Sequence, residues 1–179
     1  GRGDHLHFSL ENDLLGIDLP EPLEKGAADS VTIWYRGIPE ASGFGSFAVS
    51  SHAGVPVLWT LSEPYGAYEW WPCKQSLADK IDSTDIVVTT PAQYRTASNG
   101  VLTGEWVDQE LRTMHWRHRY PIATYLVAIA VTNYAEYADT LRLGENRSMP
   151  VVHFVYPEYM ATARTKSPVT LELLALFNR

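Results

Sequence analysis

The sequence predicts an all-β domain: a twisted β-sandwich of antiparallel and mixed sheets, with one helix at its carboxyl end. Most of the chain consists of short segments rich in β-branched and aromatic residues, and turn-forming residues separate them at short intervals. Residues 124–131 are apolar on both faces, which indicates a strand covered on both sides at the centre of a sheet. Helical spacing of apolar residues begins only after Ser167.

The strands follow from local composition, taken in chain order. Alternating or β-branched segments predict strands at residues 5–10, 30–37, 44–50, 55–60, 85–90, 94–97, 101–106, 111–119, 124–131 and 151–156. Pro56 lies inside the fourth of these segments. Because proline cannot donate to a ladder, its presence favours an edge position for that strand.

One pair of predicted strands carries a strong turn signal. Asn99 and Gly100 stand between the apolar runs 94–97 and 101–106. Both residue types tolerate positive φ, as a two-residue hairpin turn requires. The sequence therefore predicts that these two runs form a β-hairpin.

The end of the chain has a different pattern. Ser167 is a suitable N-cap, Pro168 suits the first helical position, and residues 169–177 are apolar on more than one face. A helix of this kind needs a covering partner. We therefore expect a β domain at 1–160, followed at 161–179 by a linker and the first helix of a further domain.

Composition restricts the classes of partner. The net charge is −7, and no window gathers lysines and arginines into a stripe that could neutralise phosphates, so nucleic acid is not an expected partner. No apolar run has the length of a membrane span. The sequence begins with Gly1 rather than methionine, and its single cysteine cannot form an internal disulfide, so the compartment stays open.

Motifs for catalysis within the chain are missing from its sequence. It contains no His-Glu-x-x-His and no Gly-x-Ser-x-Gly. His115 and His118 lie on a predicted strand, where their spacing sends them to opposite faces. Cys73 is expected to be a buried structural thiol. We expect no metal ligands and no catalytic residues in this chain.

The window 60–73 concentrates more chemistry than any other: a carboxylate, two prolines, four large aromatic residues and the cysteine. Glu63 stands directly before Pro64, which restricts the backbone. A fixed carboxylate suits a protonated amine as counter-ion. Taken alone, however, the same residue is better interpreted as a surface or capping acid.

This window resembles a segment of the aminopeptidase N family of zinc metallopeptidases, Thr-Gln-x-Glu-Pro-x-x-Ala-Arg-x-x-x-Pro-Cys. It matches that segment without gaps at Thr60, Glu63, Pro64, Ala67, Pro72 and Cys73. Further landmarks of the family follow in the same order and at compatible spacing: Lys80, then Ser98-Asn99-Gly100, then Tyr120-Pro121-Ile122-Ala123-Thr124-Tyr125-Leu126. The resemblance covers residues 31–179.

The resemblance implies a specific role. In that family this region is a saddle-shaped amino-terminal β domain that leans on a zinc-containing catalytic domain, and the glutamate matching Glu63 binds the free α-amino group of the peptide. Leu61, Pro64 and Tyr65 are its neighbours here. It implies peptide N-termini and the catalytic domain as partners, zinc bound further along the chain, and no turnover by these 179 residues alone.

The match has departures, which put peptide specificity in doubt. Leu61 stands where the family has glutamine, Tyr68 where it has arginine, Gln75 where it has aspartate and Ala123 where it has proline. The Leu61 difference removes a polar contact near the substrate.

Two other classes remain open. Six tryptophans could serve a carbohydrate-binding β-sandwich, although Trp34, Trp59, Trp106 and Trp116 lie in strand-like surroundings and are expected in the core. Alternatively, the apolar helix at residues 171–177 could dock a protein partner.

Overall fold

The computed structural model describes residues 5–39, 46–144 and 146–178. The chain divides into two compact units, Gly1–Pro39 and Glu40–Arg179. This division does not coincide with the domain boundary predicted at residue 160, which stays a prediction.

The described part of the first unit contains one hairpin. Strands β1 (Phe8–Glu11) and β2 (Leu14–Ile17) pair antiparallel. The turn residues Asn12 and Asp13 both have positive φ, at 50° and 63°. The strand predicted at residues 5–10 is thus found only in part, and β2 was not predicted.

The strand predicted at residues 30–37 is wrong. This segment has no strand pairing, and its Trp34 is 83 % exposed. Because β-branched and aromatic residues favour strands mainly by packing on a half-buried surface, composition alone does not create one. Trp34 is therefore not the core residue that its surroundings predicted.

The second unit carries nine strands in its described residues. They are β3 (Phe47–His52), β4 (Val55–Thr60), β5 (Thr84–Pro91), β6 (Arg95–Ser98), β7 (Val101–Asp108), β8 (Leu111–His118), β9 (Ile129–Thr132), β10 (Ala135–Arg142) and β11 (Ser148–Val155). Short 3₁₀ turns occur at Ala67–Glu69, Thr124–Leu126 and Pro157–Tyr159. The all-β prediction is confirmed, although the strand pairs within the described ranges are all antiparallel rather than mixed. The sequence did not predict β10.

The strands form a four-stranded sheet in the order β3-β4-β9-β6, a three-stranded sheet in the order β5-β8-β7, and the hairpin β10-β11. β4 lies inside its sheet, so the predicted edge position is wrong. Its ladder to β9 involves only Leu58 and Trp59, and Pro56 lies beyond that ladder, where no N–H is needed.

The predicted central strand is confirmed only at its end. β9 does lie between β4 and β6, but residues 124–126 form a 3₁₀ turn instead of extending the strand. Asn99 explains the difference, since its side chain donates to the Leu126 carbonyl at 2.9 Å and accepts from the Ala128 N–H at 2.7 Å. Those backbone groups are therefore not available for a ladder.

The predicted hairpin around Asn99 and Gly100 is wrong. β6 pairs with β9 and β7 pairs with β8, so the two residues connect two different sheets. Gly100 has φ of +89°, and a Cβ there would lie 2.1 Å from the Arg117 carbonyl oxygen. The positive φ predicted for this turn is found at Gly100, but the turn connects two sheets rather than two paired strands.

The core of the second unit lies between the sheets. Trp116 is 6 % exposed and Met114 is fully buried, both on β8. Trp106 is half exposed, with its ring 3.2 Å from the position of a Gly104 Cβ, and Trp59 is half-buried. The core prediction holds for Trp116 and is wrong for Trp106.

Two consecutive helices, α1 (Met160–Lys166) and α2 (Pro168–Phe177), end the described chain. The predicted helix is confirmed, but Ser167 is not its N-cap because its backbone is helical, with φ −66° and ψ −20°. Instead its hydroxyl donates to Asp139 Oδ2 at 3.3 Å. Within the described ranges, no helix combines the length and apolar character needed to cross a bilayer.

Candidate functional site

The candidate site is the loop that follows β4, residues 61–66. The end of β4 is fixed to β9, since the Thr60 hydroxyl accepts from the Ile129 N–H at 3.0 Å. The next residue is also held, because the Leu61 N–H donates to the Ser46 carbonyl at 3.2 Å. The chain therefore enters the loop in a defined position.

Two buried residues anchor the loop, Ser62 at 2 % exposure and Ala67 at 1 %. The Ser62 hydroxyl accepts from Trp70 Nε1 at 2.8 Å, and its carbonyl accepts from the Gly66 N–H at 2.9 Å. A Cβ at Gly66 would lie 1.9 Å from Ser46 Oγ, so any side chain at this position would have to displace the Ser46 hydroxyl.

Between these anchors the chain projects three exposed residues, Glu63, Pro64 and Tyr65. The Glu63–Pro64 peptide bond is cis. Among the described residues, none forms a hydrogen bond or an ion pair with Glu63. Its carboxylate is therefore presented on a held loop with no counter-charge from the described residues, as a site for a cationic group requires.

Exposed apolar and aromatic residues lie on both sides of Glu63 in the sequence of the loop. Leu61 is 43 % exposed and Tyr65 is 57 % exposed, and Tyr68 follows at 46 %. From Thr60 to Tyr68, Glu63 is the only charged residue in the sequence. The site thus offers one negative charge beside apolar and aromatic groups.

The tryptophans that follow the loop pack against each other. The rings of Trp70 and Trp71 are 6.0 Å apart and inclined by 52°, and Phe47 lies 6.2 Å from Trp70. The Trp70–Trp71 pair is therefore not a coplanar platform of the kind that stacks on sugars. It supports the loop instead.

Cys73 is half-buried rather than fully buried. Burial raises the pKa of its thiol to about 11, against a smaller lowering by the hydrogen bond to the Thr124 side chain. The thiol is protonated at neutral pH, which agrees with a structural role. With Trp71 and Lys80 it lines a cavity of about 250 Å³.

The separated landmarks of the sequence meet in space. Ile81 and Ile122 exchange two backbone hydrogen bonds of 2.9 Å, and the Thr124 hydroxyl donates to the Lys74 carbonyl at 3.0 Å. Asn99 holds the Leu126 carbonyl, as described above. The segments around residues 73–81, 98–100 and 120–126 therefore form one connected region.

The histidines on β8 face different partners. His115 Nε2 lies 2.7 Å from Asp85 Oδ1, whereas the ring of His118 packs edge-on against that of Tyr120, with 6.0 Å between the ring centroids. In the part of the chain that the structure describes, no three His, Cys, Asp or Glu side chains are grouped so as to hold a metal ion.

Asp85 is the centre of an electrostatic cluster that the sequence did not predict. Besides His115, Arg117 Nε and Arg119 Nη2 each donate to its carboxylate at 2.9 Å. The hydrogen bond from Arg117, followed by those from Arg119 and His115, holds the pKa of Asp85 well below its usual range. The strand alternation at residues 115, 117 and 119 was the available signal.

No family model matches the chain, and no curated protein matches it. Solved structures do. An M1 zinc metallopeptidase from Deinococcus radiodurans superposes with a TM-score of 0.67 at 23 % identity, covering 90 % of this chain and 39 % of that one. A two-domain M1 zinc metallopeptidase variant bound to L-tryptophan gives a TM-score of 0.67 and 23 % identity, with 90 % and 40 % coverage.

A more distant likeness is to Legionella pneumophila aminopeptidase A in complex with aspartic acid. Its TM-score is 0.56 at 20 % identity, over 70 % of this chain and 15 % of that chain. The chain thus spans about two fifths of the first of these structures. These neighbours are M1 zinc metallopeptidases and an aminopeptidase, so the resemblance predicted from the sequence is confirmed at the level of the fold.

Proposed function

We propose that this chain is the amino-terminal β domain of a zinc-dependent aminopeptidase, in which Glu63 binds the α-amino group of the peptide. The observation that carries the proposal is the position of Glu63. It is exposed between the buried residues Ser62 and Ala67, and no described residue neutralises it. The likeness of fold supports the same assignment.

The chemistry follows from the charge and the held backbone. A peptide N-terminus carries an ammonium group, and a charge-assisted hydrogen bond to a carboxylate is worth about 1.5–3 kcal/mol. An internal segment of a peptide has no such group. A fixed carboxylate therefore favours substrates with a free N-terminus, with Leu61, Pro64 and Tyr65 as its immediate neighbours.

The zinc of the proposed enzyme is assigned to a catalytic domain rather than to this β domain. The described residues hold no suitable group of three ligands. In the proposed enzyme a catalytic domain would hold zinc, which would supply Lewis-acid activation of the scissile carbonyl and of water. The β domain ends near residue 160, and α1 and α2 lead into the catalytic domain, whose surface covers the apolar side of α2.

The test uses the polypeptide encoded by the complete reading frame. We expect it to hydrolyse L-leucine 4-nitroanilide, to lose that activity with a zinc chelator, and to leave N-acetyl-L-leucine 4-nitroanilide intact. The 179-residue chain alone is the control and is expected to be inactive. Cleavage of the acetylated substrate at an equal rate, or no cleavage of either substrate, would contradict the proposal.

A further inference from the structure

A cavity of about 250 Å³ is lined mainly by residues between Trp71 and Ile81, and it combines apolar wall with an unbalanced charge. We infer that this cavity binds a small organic carboxylate. The apolar group of the ligand packs against Trp71 and Ile81, and its carboxylate pairs with Lys80. The inference goes beyond the proposed function and does not depend on it.

Hydrogen bonds between segments far apart in the sequence hold the walls of the cavity. Thr124, which belongs to the lining and is 4 % exposed, donates from its hydroxyl to the Lys74 carbonyl at 3.0 Å. Ile81 exchanges two backbone hydrogen bonds of 2.9 Å with Ile122. The cavity is therefore formed without a ligand, so binding requires little further ordering of the chain.

One positive charge in the lining has no partner among the described residues. Lys74 Nζ and Asp79 Oδ2 are 2.5 Å apart and neutralise each other, whereas the exposed Lys80 forms no ion pair within the described ranges. Burial raises the pKa of the Cys73 thiol to about 11, so this part of the wall adds no negative charge at neutral pH. Two lysines against one aspartate leave a single positive charge, which suits a monoanion.

The size of the cavity and its apolar wall define the rest of the ligand. An apolar cavity of about 150 Å³ is large enough to hold benzene. This cavity is larger, so it has room for one ring with a short acidic chain. A ring placed against Trp71 and Ile81 removes apolar area from water. A second carboxylate would find no free cation in the lining, because Lys74 is engaged by Asp79.

Phenylacetate is the probe for this site, with phenylacetamide as its neutral match and acetate as the anion without a ring. The polypeptide from the complete reading frame is labelled with 5-fluorotryptophan, and the fluorine NMR signal of Trp71 is identified by its loss in Trp71→Phe. We expect phenylacetate to shift this signal saturably. It should bind about threefold more tightly than phenylacetamide, the modest gain of a solvent-exposed ion pair. It should bind about tenfold more tightly than acetate, from burial of the ring.

Two substitutions at one position test the role of Lys80. Lys80→Gln is expected to abolish the preference for the acid over the amide, whereas Lys80→Arg keeps the charge and should retain that preference. Lys166→Gln on α1 removes an exposed lysine outside the lining and should leave all three dissociation constants unchanged.

Each part of the inference has an outcome that would overturn it. Absence of a saturable shift of the Trp71 signal with phenylacetate would overturn the site itself. Equal binding of the acid and the amide by the wild type, or a preference that persists in Lys80→Gln, would overturn the pairing with Lys80. Equal binding of acetate and phenylacetate would overturn the apolar contact. None of these measurements involves hydrolysis, so their failure does not bear on the proposed function.

Discussion

The indole Nε1 of Trp70 donates a hydrogen bond of 2.8 Å to the hydroxyl of Ser62, the residue directly before Glu63. Ser62 is buried, and Trp70 packs against Phe47 of β3. The bond therefore ties the beginning of the exposed segment to the sheet behind it. The orientation of Glu63 depends on a contact between residues eight positions apart.

Replacement of Ser62 by alanine tests this tie. The indole N–H would lose its acceptor in a part-buried position, and we expect the free energy of unfolding to fall by about 1–3 kcal/mol. Urea denaturation measures the change. Ser50→Ala, at an exposed position of β3, is the control and is expected to be neutral. Equal stability of the two variants would show that the bond contributes nothing.

Gly66 is expected to be intolerant of even one added methyl group. A Cβ there would lie 1.9 Å from Ser46 Oγ, and such overpacking typically costs about 1–3 kcal/mol. Thermal unfolding of Gly66→Ala should show the loss, whereas Gly37→Ala, which meets open space, should not. Adding Ser46→Ala to Gly66→Ala removes the clashing oxygen and should restore part of the stability. No restoration would refute the steric explanation.

Asp85 predicts a definite dependence of stability on pH. Its pKa is lower in the folded chain than its usual value of 3.8, chiefly because of the hydrogen bond from Arg117. The ionised carboxylate therefore stabilises the fold above about pH 4. This contribution is lost as the pH falls through the lower folded pKa.

The measurement is the difference in melting temperature between wild type and Asp85→Asn. We expect the wild type to be more stable at pH 6, and the gap to narrow below about pH 4. Because the cluster is exposed, 1 M salt should also narrow it. Asp108→Asn, an exposed carboxylate at the end of β7, is the control. A gap that widens on acidification would contradict the assignment.

Local sequence predicted the elements that depend on local rules. β4, β8 and α2 lie where alternation or helical spacing placed them, and β11 lies close to its prediction. The errors occur where contacts between residues far apart in the sequence determine the local structure. Asn99 and Gly100 form a corner between sheets, and residues 30–37 pair with no strand of the described part of the chain despite a strand-like composition.

The same division applies to the site. Glu63 could be singled out from the sequence only through the match of residues 60–73 to the family segment, since taken alone it is interpreted as a surface or capping acid. Its supports could not, since Ser46 reaches the loop only through the fold and contacts both Leu61 and the space beside Gly66. Glycine in the loop was the one local sign of a close approach.

The most direct test of the central proposal is a kinetic measurement on Glu63→Gln in the polypeptide from the complete reading frame. Glutamine keeps the shape of the side chain and removes its charge. With L-leucine 4-nitroanilide as substrate, we expect kcat/KM to fall by about 10- to 100-fold, in line with the loss of one charge-assisted hydrogen bond. Glu110→Gln, at an exposed position away from the loop, should leave kcat/KM unchanged. A value for Glu63→Gln equal to that of the wild type would contradict the anchoring of the substrate by this residue.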